Sequence, residues 1–205
     1  MIYREILTAV AICLSALGFF IRAYSIGTTP KGTSGRNTEK QVAESLNKTG
    51  IYSLVRHPLY VGNYFMWIGI VLFTFNVYFV IIVSLAFWLY YERIMFAEER
   101  FLEKKFGEPY MAWSKTVPAF IPSFRNYQKG DIRFSLKSVL RREYSGFLAT
   151  VLCFAFIDLM RFYLLTGQFE WQRTSVYVSA GSVILTLVLR SLKHHTSLLD
   201  EAGRS

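Results

Sequence analysis

The chain has 205 residues, of which 53% are hydrophobic and 17% aromatic, and its formal net charge is +9. This composition is too apolar for an ordinary soluble domain, whereas membrane helices of roughly 20 apolar residues each account for it. The basic residues lie between apolar runs, which favours anionic lipid headgroups over nucleic acid as partners. Cys13 and Cys153 lie inside apolar runs with no Cys or His at ligand spacing, so neither a disulfide framework nor a zinc site is predicted.

The N-terminal region contains one apolar run followed by a polar connection. Residues 3–25 are predicted to form the first membrane span, and 26–50 are rich in glycine and hydroxyl residues, which indicates a loop. Residues 38–47 have the pattern of a short amphipathic helix. The basic loop residues Lys31 and Arg36 are open to two interpretations. They lie in a connector at headgroup level or in an anion-binding loop whose glycines allow close backbone approach.

A second apolar region is far too long for one membrane crossing. It runs from Pro58 to about Phe96, and Asn76 is its natural break. We therefore predict two antiparallel spans at about 58–75 and 77–95. Pro58 suits the first position of a helix, where its missing N–H costs nothing. The free N–H groups of that first turn suit an anionic ligand group.

The predicted hairpin brings two polar segments to one side of the membrane. At roughly 1.5 Å per residue, His57 and Glu98 each lie about 30 Å from the turn at Asn76. We call this open end the hairpin mouth. The residues expected to face one another across it are Arg56, His57 and Tyr60 on one helix and Glu92, Arg93, Glu98 and Glu99 on the other.

The segment 96–125 is charged and helical in pattern. Gly107 is a plausible helix C-terminus, and Pro109 can open the next short helix. Residues 117–122 contain two prolines and are predicted to be extended or turning.

The C-terminal region is predicted to begin with a basic stretch that lies on the membrane surface, at 126–145. Two further spans follow at about 146–166 and 175–192. Asp158 and Arg161 lie one helical turn apart in the first of these spans, and we expect them to neutralise each other.

The distribution of charge sets the predicted topology. Basic residues concentrate in 26–57, in 93–142 and after Arg190, whereas the turn at Asn76 has none. Five spans satisfy this asymmetry if the N-terminus lies outside and the three basic regions lie inside. The predicted fold is therefore an all-α integral membrane bundle of about five transmembrane helices with a pocket at the cytosolic face.

Three motifs together resemble a known superfamily. They are Arg56-His57-Pro58-x-Tyr60-x-Gly62, then Glu98-Glu99-x-x-Leu102-x-x-x-Phe106-Gly107-x-x-Tyr110, then Val117-Pro118 with Ile121-Pro122. With this spacing the region 50–122 resembles the isoprenylcysteine carboxyl methyltransferase and phospholipid methyltransferase superfamily. One departure is Trp113, where the family often has tyrosine. We predict a first helix and anion-binding-type loop (1–49), a methyltransferase core (50–125), and a basic amphipathic linker with two transmembrane helices (126–205), of which the resemblance does not specify the last region.

The resemblance implies S-adenosylmethionine as the methyl donor, bound at the cytosolic face, and an acceptor that approaches from the bilayer. It also implies cofactor contacts at Tyr52, His57, Pro58, Leu59, Tyr60 and Glu98. The acceptor-side arginine of the family corresponds to Arg93. No soluble-type Gly-x-Gly nucleotide fingerprint is present, which agrees with this class of methyltransferase.

These residue types suit the implied chemistry. Arg56 and the adjacent helix start suit the carboxylate of the donor, and Glu98 or Glu99 suits its ammonium or ribose hydroxyls. An anionic acceptor needs alignment and removal from water but no general base, and Arg93 would orient it, with Lys31 and Arg36 as further substrate contacts. An amine acceptor would need a base, for which Glu99 or His57 is the candidate.

Simpler interpretations of the same residues remain open. His57 can act only as a helix cap, Glu92 and Arg93 can form an interfacial ion pair, and the two adjacent glutamates can be a solvated helix face. The acceptor can be a prenylcysteine carboxylate, a lipid phosphate or a phospholipid amine. Two other classes are an NADPH-dependent sterol-type reductase and a non-enzymatic membrane scaffold.

Overall fold

The computed structural model describes residues 2–30, 43–125 and 127–204, and these segments contain helices and no strands. The helices are α1 (Ile2–Gly27), α2 (Pro58–Leu72), α3 (Val77–Phe106), α4 (Glu108–Thr116), α5 (Leu136–Thr166) and α6 (Thr174–His195), with a short 3-10 helix at Gly50–Ser53. By length and composition α1, α3, α5 and α6 can cross a membrane, and α2 is a shorter apolar helix. The predicted all-α membrane bundle is confirmed.

Helices α1 and α2 pack backbone against backbone. A Cβ atom on Gly18 of α1 would lie 2.4 Å from the carbonyl oxygen of Gly62 on α2, and one on Gly69 would lie 2.4 Å from the carbonyl oxygen of Ala11. Small residues at these positions allow the close approach by which membrane helices associate. This close packing against α1 therefore holds α2 in position.

The hairpin between α2 and α3 turns where the sequence predicts. Asn76 is the N-cap of α3, and its side-chain oxygen accepts from the backbone N–H of Phe79 at 3.1 Å. The N-cap oxygen satisfies one of the unpaired donors of the first turn and so fixes the helix start. α3 then continues to Phe106, beyond the predicted span 77–95, and carries its glutamates past the apolar part of the helix.

Two predicted elements differ from the structure. Residues 43–47 are not helical, and the remainder of the predicted helix 38–47 lies outside the described residues. Leu46 packs against the cluster of Tyr52, Tyr110, Trp113 and Val117, so tertiary packing outweighs a weak helical pattern there. The predicted surface stretch 126–145 is also wrong in its second half, because α5 is one continuous helix from Leu136. Ser135 caps it by accepting from the N–H of Ser138 at 3.1 Å.

The expected pairing of Asp158 with Arg161 is wrong. Asp158 accepts from Nε and Nη2 of Arg173 at 2.7 and 2.8 Å, and Ser175 donates to it at 2.6 Å. The planar guanidinium of Arg173, at the start of α6, matches both oxygens of the carboxylate. Arg161 instead lies over the ring of Phe75 at 4.1 Å. The ion pair between Asp158 and Arg173 therefore connects α5 to the start of α6.

Candidate active site

A short irregular segment with several bends positions the residues that lead into α2. The backbone N–H of Arg56 donates to the carbonyl of Pro118 at 2.9 Å, and that of His57 donates to the carbonyl of Ala119 at 3.2 Å. The proline-containing segment 117–122 thus lies alongside the residues that precede α2. These two hydrogen bonds hold the backbone of Arg56 and His57 and thereby orient their side chains.

The hairpin mouth brings one imidazole between two carboxylates. Nε2 of His57 lies 3.0 Å from Oε1 of Glu99, and Nδ1 lies 3.5 Å from Oε2 of Glu98. The hydroxyl of Tyr60 donates to the same Glu98 oxygen at 2.9 Å, and the ring of Tyr60 is stacked on His57 with centroids 5.4 Å apart. His57 occupies the N-cap position of α2, but its side chain makes no capping hydrogen bond. We call Arg56, His57, Tyr60, Glu98 and Glu99 the hairpin-mouth cluster.

Arg56 joins three structural elements. Its Nε and Nη2 each lie 2.8 Å from Oε1 of Glu99 on α3. Its Nη1 donates to the carbonyls of Ser114 and Val117, at the end of α4, at 2.7 and 2.6 Å. All three nitrogens therefore have protein acceptors, an arrangement suited to holding Glu99 in place rather than to binding the carboxylate of a methyl donor, as the sequence had suggested.

Most of the first-turn donors of α2 are already used. The backbone N–H groups of Tyr60 and Val61 both reach the carbonyl of His57, at 3.1 and 3.2 Å. Pro58 has no N–H, so the remaining first-turn donor is that of Leu59. Of the N–H groups that were predicted to bind an anion at this helix start, only that of Leu59 therefore remains available.

Each carboxylate of the cluster has one oxygen held by the protein and one for which the described residues provide no donor. Within the described residues, the donors to Glu98 reach Oε2 and the donors to Glu99 reach Oε1. The side chains are 37% and 27% exposed, respectively. Oε1 of Glu98 and Oε2 of Glu99 can therefore accept hydrogen bonds from the N–H or O–H groups of a ligand.

The buried imidazole has a pKa above its ordinary value of 6.5. Burial alone lowers the pKa of His57, but hydrogen bonds and charge attraction from Glu98 and Glu99 outweigh that effect and raise it. The charged form of His57 is therefore stabilised between two anions.

The raised pKa of His57 predicts a pH-dependent stability. Its contribution is fully present below 6.5 and is lost as the pH rises through the higher pKa of the folded protein. We expect the difference in thermal midpoint between the wild-type protein and His57→Gln to be largest near about pH 6 and to shrink toward about pH 9. Thermal unfolding in detergent across this range measures it. His194→Gln, at an exposed position, is the control, and a constant difference for His57→Gln would contradict the expectation.

The one cofactor residue predicted upstream of the cluster, Tyr52, is buried. Tyr52 packs with Tyr110 and Trp113, and Nε1 of Trp113 donates to the backbone carbonyl of Tyr52 at 3.2 Å. The indole that replaces the usual tyrosine therefore fixes the backbone near the site. The hydroxyl of Tyr110 is buried and has no hydrogen-bond partner within the described residues, and burial raises the pKa of Tyr110 to about 12. A buried hydroxyl without a partner costs free energy that a bound polar group can remove.

Other predicted site residues lie apart from the cluster. Arg93 and Glu92 are exposed on α3, and the interfacial ion pair that was the alternative interpretation of them is not found within the described residues. Arg93 precedes Glu98 by five positions, which places it roughly 140° around the helix from that carboxylate. Lys31 and Arg36 lie outside the described residues.

One polar set near the cluster was missed by the sequence analysis. Arg22 of α1 and Glu143 of α5 form a buried ion pair, and Arg22 also contacts Asn63 on α2. A charged residue within an apolar span is a functional candidate by default. The position of Arg22 in the predicted span 3–25 could therefore have marked it as a candidate from the sequence.

The fold and the cluster define an integral membrane helical protein with a charge-balanced polar site at one hairpin mouth. A family model described as phospholipid methyltransferase matches residues 6–109, about half of the chain. The chain therefore belongs to the phospholipid methyltransferase family. A comparison with solved structures gives no significant match.

Curated relatives include two O-methyltransferases and a metal-resistance protein. The chain is 33% identical over 115 residues to the protein-S-isoprenylcysteine O-methyltransferase of Schizosaccharomyces pombe, covering 53% of this chain and 48% of that protein. It is 28% identical over 123 residues to the protein of the same name from Tribolium castaneum, covering 60% and 44%. It is also 36% identical over 84 residues to the cobalt-zinc-cadmium resistance protein CzcN of Cupriavidus metallidurans, covering 41% and 38%. The chain thus spans about half the length, or less, of these relatives.

Proposed function

We propose that this protein is an S-adenosylmethionine-dependent membrane methyltransferase whose acceptor is the anionic carboxylate or phosphate group of a lipid or lipidated substrate. The observation that carries the proposal is the pair of carboxylates around His57, each with one oxygen left for a ligand. Family membership and the O-methyltransferase names of the relatives support the reaction type.

The residues present fit the proposed donor. Glu98 and Glu99 are pure acceptors when ionised, as the ammonium and ribose hydroxyls of S-adenosylmethionine require. The unpaired hydroxyl of Tyr110 and the N–H of Leu59 are further polar groups available nearby. When bound, S-adenosylmethionine supplies a methyl group on a positively charged sulfur.

The protein contributes positioning and charge rather than a base. Both ring nitrogens of His57 face carboxylates, so His57 is not arranged to take a proton from an amine, and Arg56 and His57 both hold one oxygen of Glu99 as a carboxylate. An anionic oxygen needs no deprotonation, only alignment and exclusion of water, which can account for roughly 7–11 kcal/mol of a barrier. This favours a carboxylate or phosphate over a phospholipid amine.

The site is proposed to lie at the cytosolic face, with the N-terminus outside. The concentration of basic residues in the connections at the hairpin-mouth end supports this orientation. In the same proposal Lys31 and Arg36 contact the anionic group of the substrate, and the exposed Arg93 meets it from the bilayer side.

Neutralising Arg93 is expected to affect the acceptor more than the donor. Arg93→Gln should lower the rate of methyl transfer at limiting acceptor by about 10-fold or more, since hydrogen bonds to charged groups are worth about 1.5–3 kcal/mol. Donor affinity should stay within about twofold of wild type. Arg100→Gln, also exposed on α3, is the matched control. Equal losses in both measurements would reject the acceptor-side role.

The experiment that tests the function is methyl transfer from labelled S-adenosylmethionine by the purified protein in lipid vesicles. Separate reactions contain a prenylated cysteine with a free carboxylate, a lipid with a terminal phosphate monoester, and a phospholipid amine. We expect label on one of the two anionic acceptors. Label on the amine contradicts the acceptor class. Binding of NADPH without S-adenosylmethionine, or of neither, contradicts the methyltransferase assignment.

A further inference from the structure

A buried ion pair links the first helix to the C-terminal helices. Arg22 on α1 is 7% exposed and Glu143 on α5 is 2% exposed. Nε and Nη2 of Arg22 donate to the two oxygens of Glu143 at 2.7 and 2.6 Å. This bidentate geometry is the strong form of an arginine–carboxylate contact, and it fixes the plane of the guanidinium.

The remaining nitrogen of the guanidinium reaches α2. Nη1 of Arg22 donates to Oδ1 of Asn63 at 2.6 Å. Because a guanidinium has donors only, this contact determines which end of the Asn63 amide faces it. The amide nitrogen therefore points toward α3, where Nδ2 lies 2.9 Å from the hydroxyl of Tyr91.

Tyr91 connects this contact to the hairpin-mouth cluster. Its ring stacks on Phe87 with centroids 4.0 Å apart and packs against the ring of Tyr60 at 5.1 Å. Tyr60 has His57 stacked on it and donates to Glu98. A shift of Tyr91 would therefore change the space in which Tyr60 holds the Glu98 carboxylate.

We propose that a buried relay positions Tyr60 and Glu98 for donor binding, and that α5 is thereby part of the active unit rather than a plain membrane anchor. The relay consists of Glu143, Arg22, Asn63 and Tyr91. These are positioning residues, because their contacts to the cluster pass through Tyr60. The inference rests on the proposed function, since donor binding is what the relay would support. Glu143 lies beyond the family match at 6–109.

The mildest interruption of the relay is Tyr91→Phe. It removes one hydroxyl and keeps the ring, so Asn63 loses its acceptor while the Arg22 ion pair remains intact. We expect donor affinity to fall about two- to tenfold, the effect of losing one hydrogen bond, with the change in the donor KM rather than in kcat. Tyr64→Phe is the matched control, because its hydroxyl contacts Ser84 at 3.3 Å and its ring also packs on Phe87.

A charge-neutral double variant separates positioning from simple stability. Arg22→Met combined with Glu143→Met removes both charges together, so no unpaired charge is left buried. We expect this variant to unfold near the wild-type temperature yet to bind S-adenosylmethionine as weakly as Tyr91→Phe does. If the ion pair were only structural, a double variant of normal stability would have wild-type donor affinity. If the double variant fails to fold, the donor affinity of Tyr91→Phe alone tests the proposal.

Donor titration of the wild-type protein in lipid nanodiscs comes first. A wild-type protein that binds S-adenosylmethionine, together with Tyr91→Phe and double variants of unchanged affinity, overturns the relay alone. A wild-type protein that binds no S-adenosylmethionine overturns the proposed function and the relay together. Weakened binding in both relay variants, with Tyr64→Phe unchanged, supports the inference.

Discussion

Replacing Glu98 by glutamine is expected to lower the affinity for S-adenosylmethionine by roughly 10- to 100-fold, because a hydrogen bond to a charged group is worth about 1.5–3 kcal/mol. The substitution keeps the size of the side chain and an oxygen for Tyr60, but it removes the negative charge that faces His57. Isothermal titration of the purified protein in lipid nanodiscs measures the effect. The change should be in donor binding, with the acceptor KM little altered.

The matched control for this prediction is Glu103→Gln. Glu103 lies on the same helix and its side chain is 39% exposed, close to the 37% of Glu98, but its partner is Arg100 at 3.3 Å rather than the cluster. Exposed pairs of this kind contribute little, so donor affinity should not change. Equal losses in the two variants would show that Glu98 acts only through the general charge of the surface.

Arg56→Met is expected to produce the largest loss of stability. The substitution leaves Glu99 without its arginine and the carbonyls of Ser114 and Val117 without a donor. Removing one partner of a buried pair costs about 3–5 kcal/mol, and partial exposure of Glu99 reduces the expected loss in unfolding free energy to roughly 2–4 kcal/mol. Chemical unfolding in mild detergent measures it, and donor binding should weaken because Glu99 is no longer held.

Arg56→Lys separates the contribution of the positive charge from that of the planar set of donors. A lysine keeps a positive charge near Glu99 but cannot supply the planar set of donors that also reaches the end of α4. Its stability should therefore lie between those of wild type and Arg56→Met. Arg125→Met, at an exposed position, should leave stability unchanged. A loss in Arg56→Met no larger than that in Arg125→Met would show that these contacts do not hold the site together.

The hairpin and its mouth could be predicted because simple constraints determine them. A bilayer sets the length of a crossing, Asn76 marks the turn, and equal distances from that turn put His57 beside Glu98. The structure confirms that Arg56, His57 and Tyr60 meet the two glutamates. These predictions depend only on position along two helices.

The remaining contacts depend on tertiary packing, which the local sequence does not determine. Arg56 was expected to face a ligand, but its acceptors lie on α4, whose end comes close only after the segment 117–122 folds back. Arg93 was expected to face His57 across the mouth, but it is exposed on a different side of α3 from Glu98. Asp158 has two basic neighbours along the chain, and only the geometry of the α5–α6 loop shows that Arg173 is the partner.

The most direct measurement is an electron cryomicroscopy or crystal structure of the protein in lipid with S-adenosylhomocysteine, the demethylated form of the proposed donor. We predict density for this molecule at the hairpin mouth, with its amino or ribose groups within hydrogen-bond distance of Oε1 of Glu98 or Oε2 of Glu99. Density at another place would contradict the proposed site. An example is the apolar cavity of about 650 Å³ lined by Phe19, Phe154 and Val178.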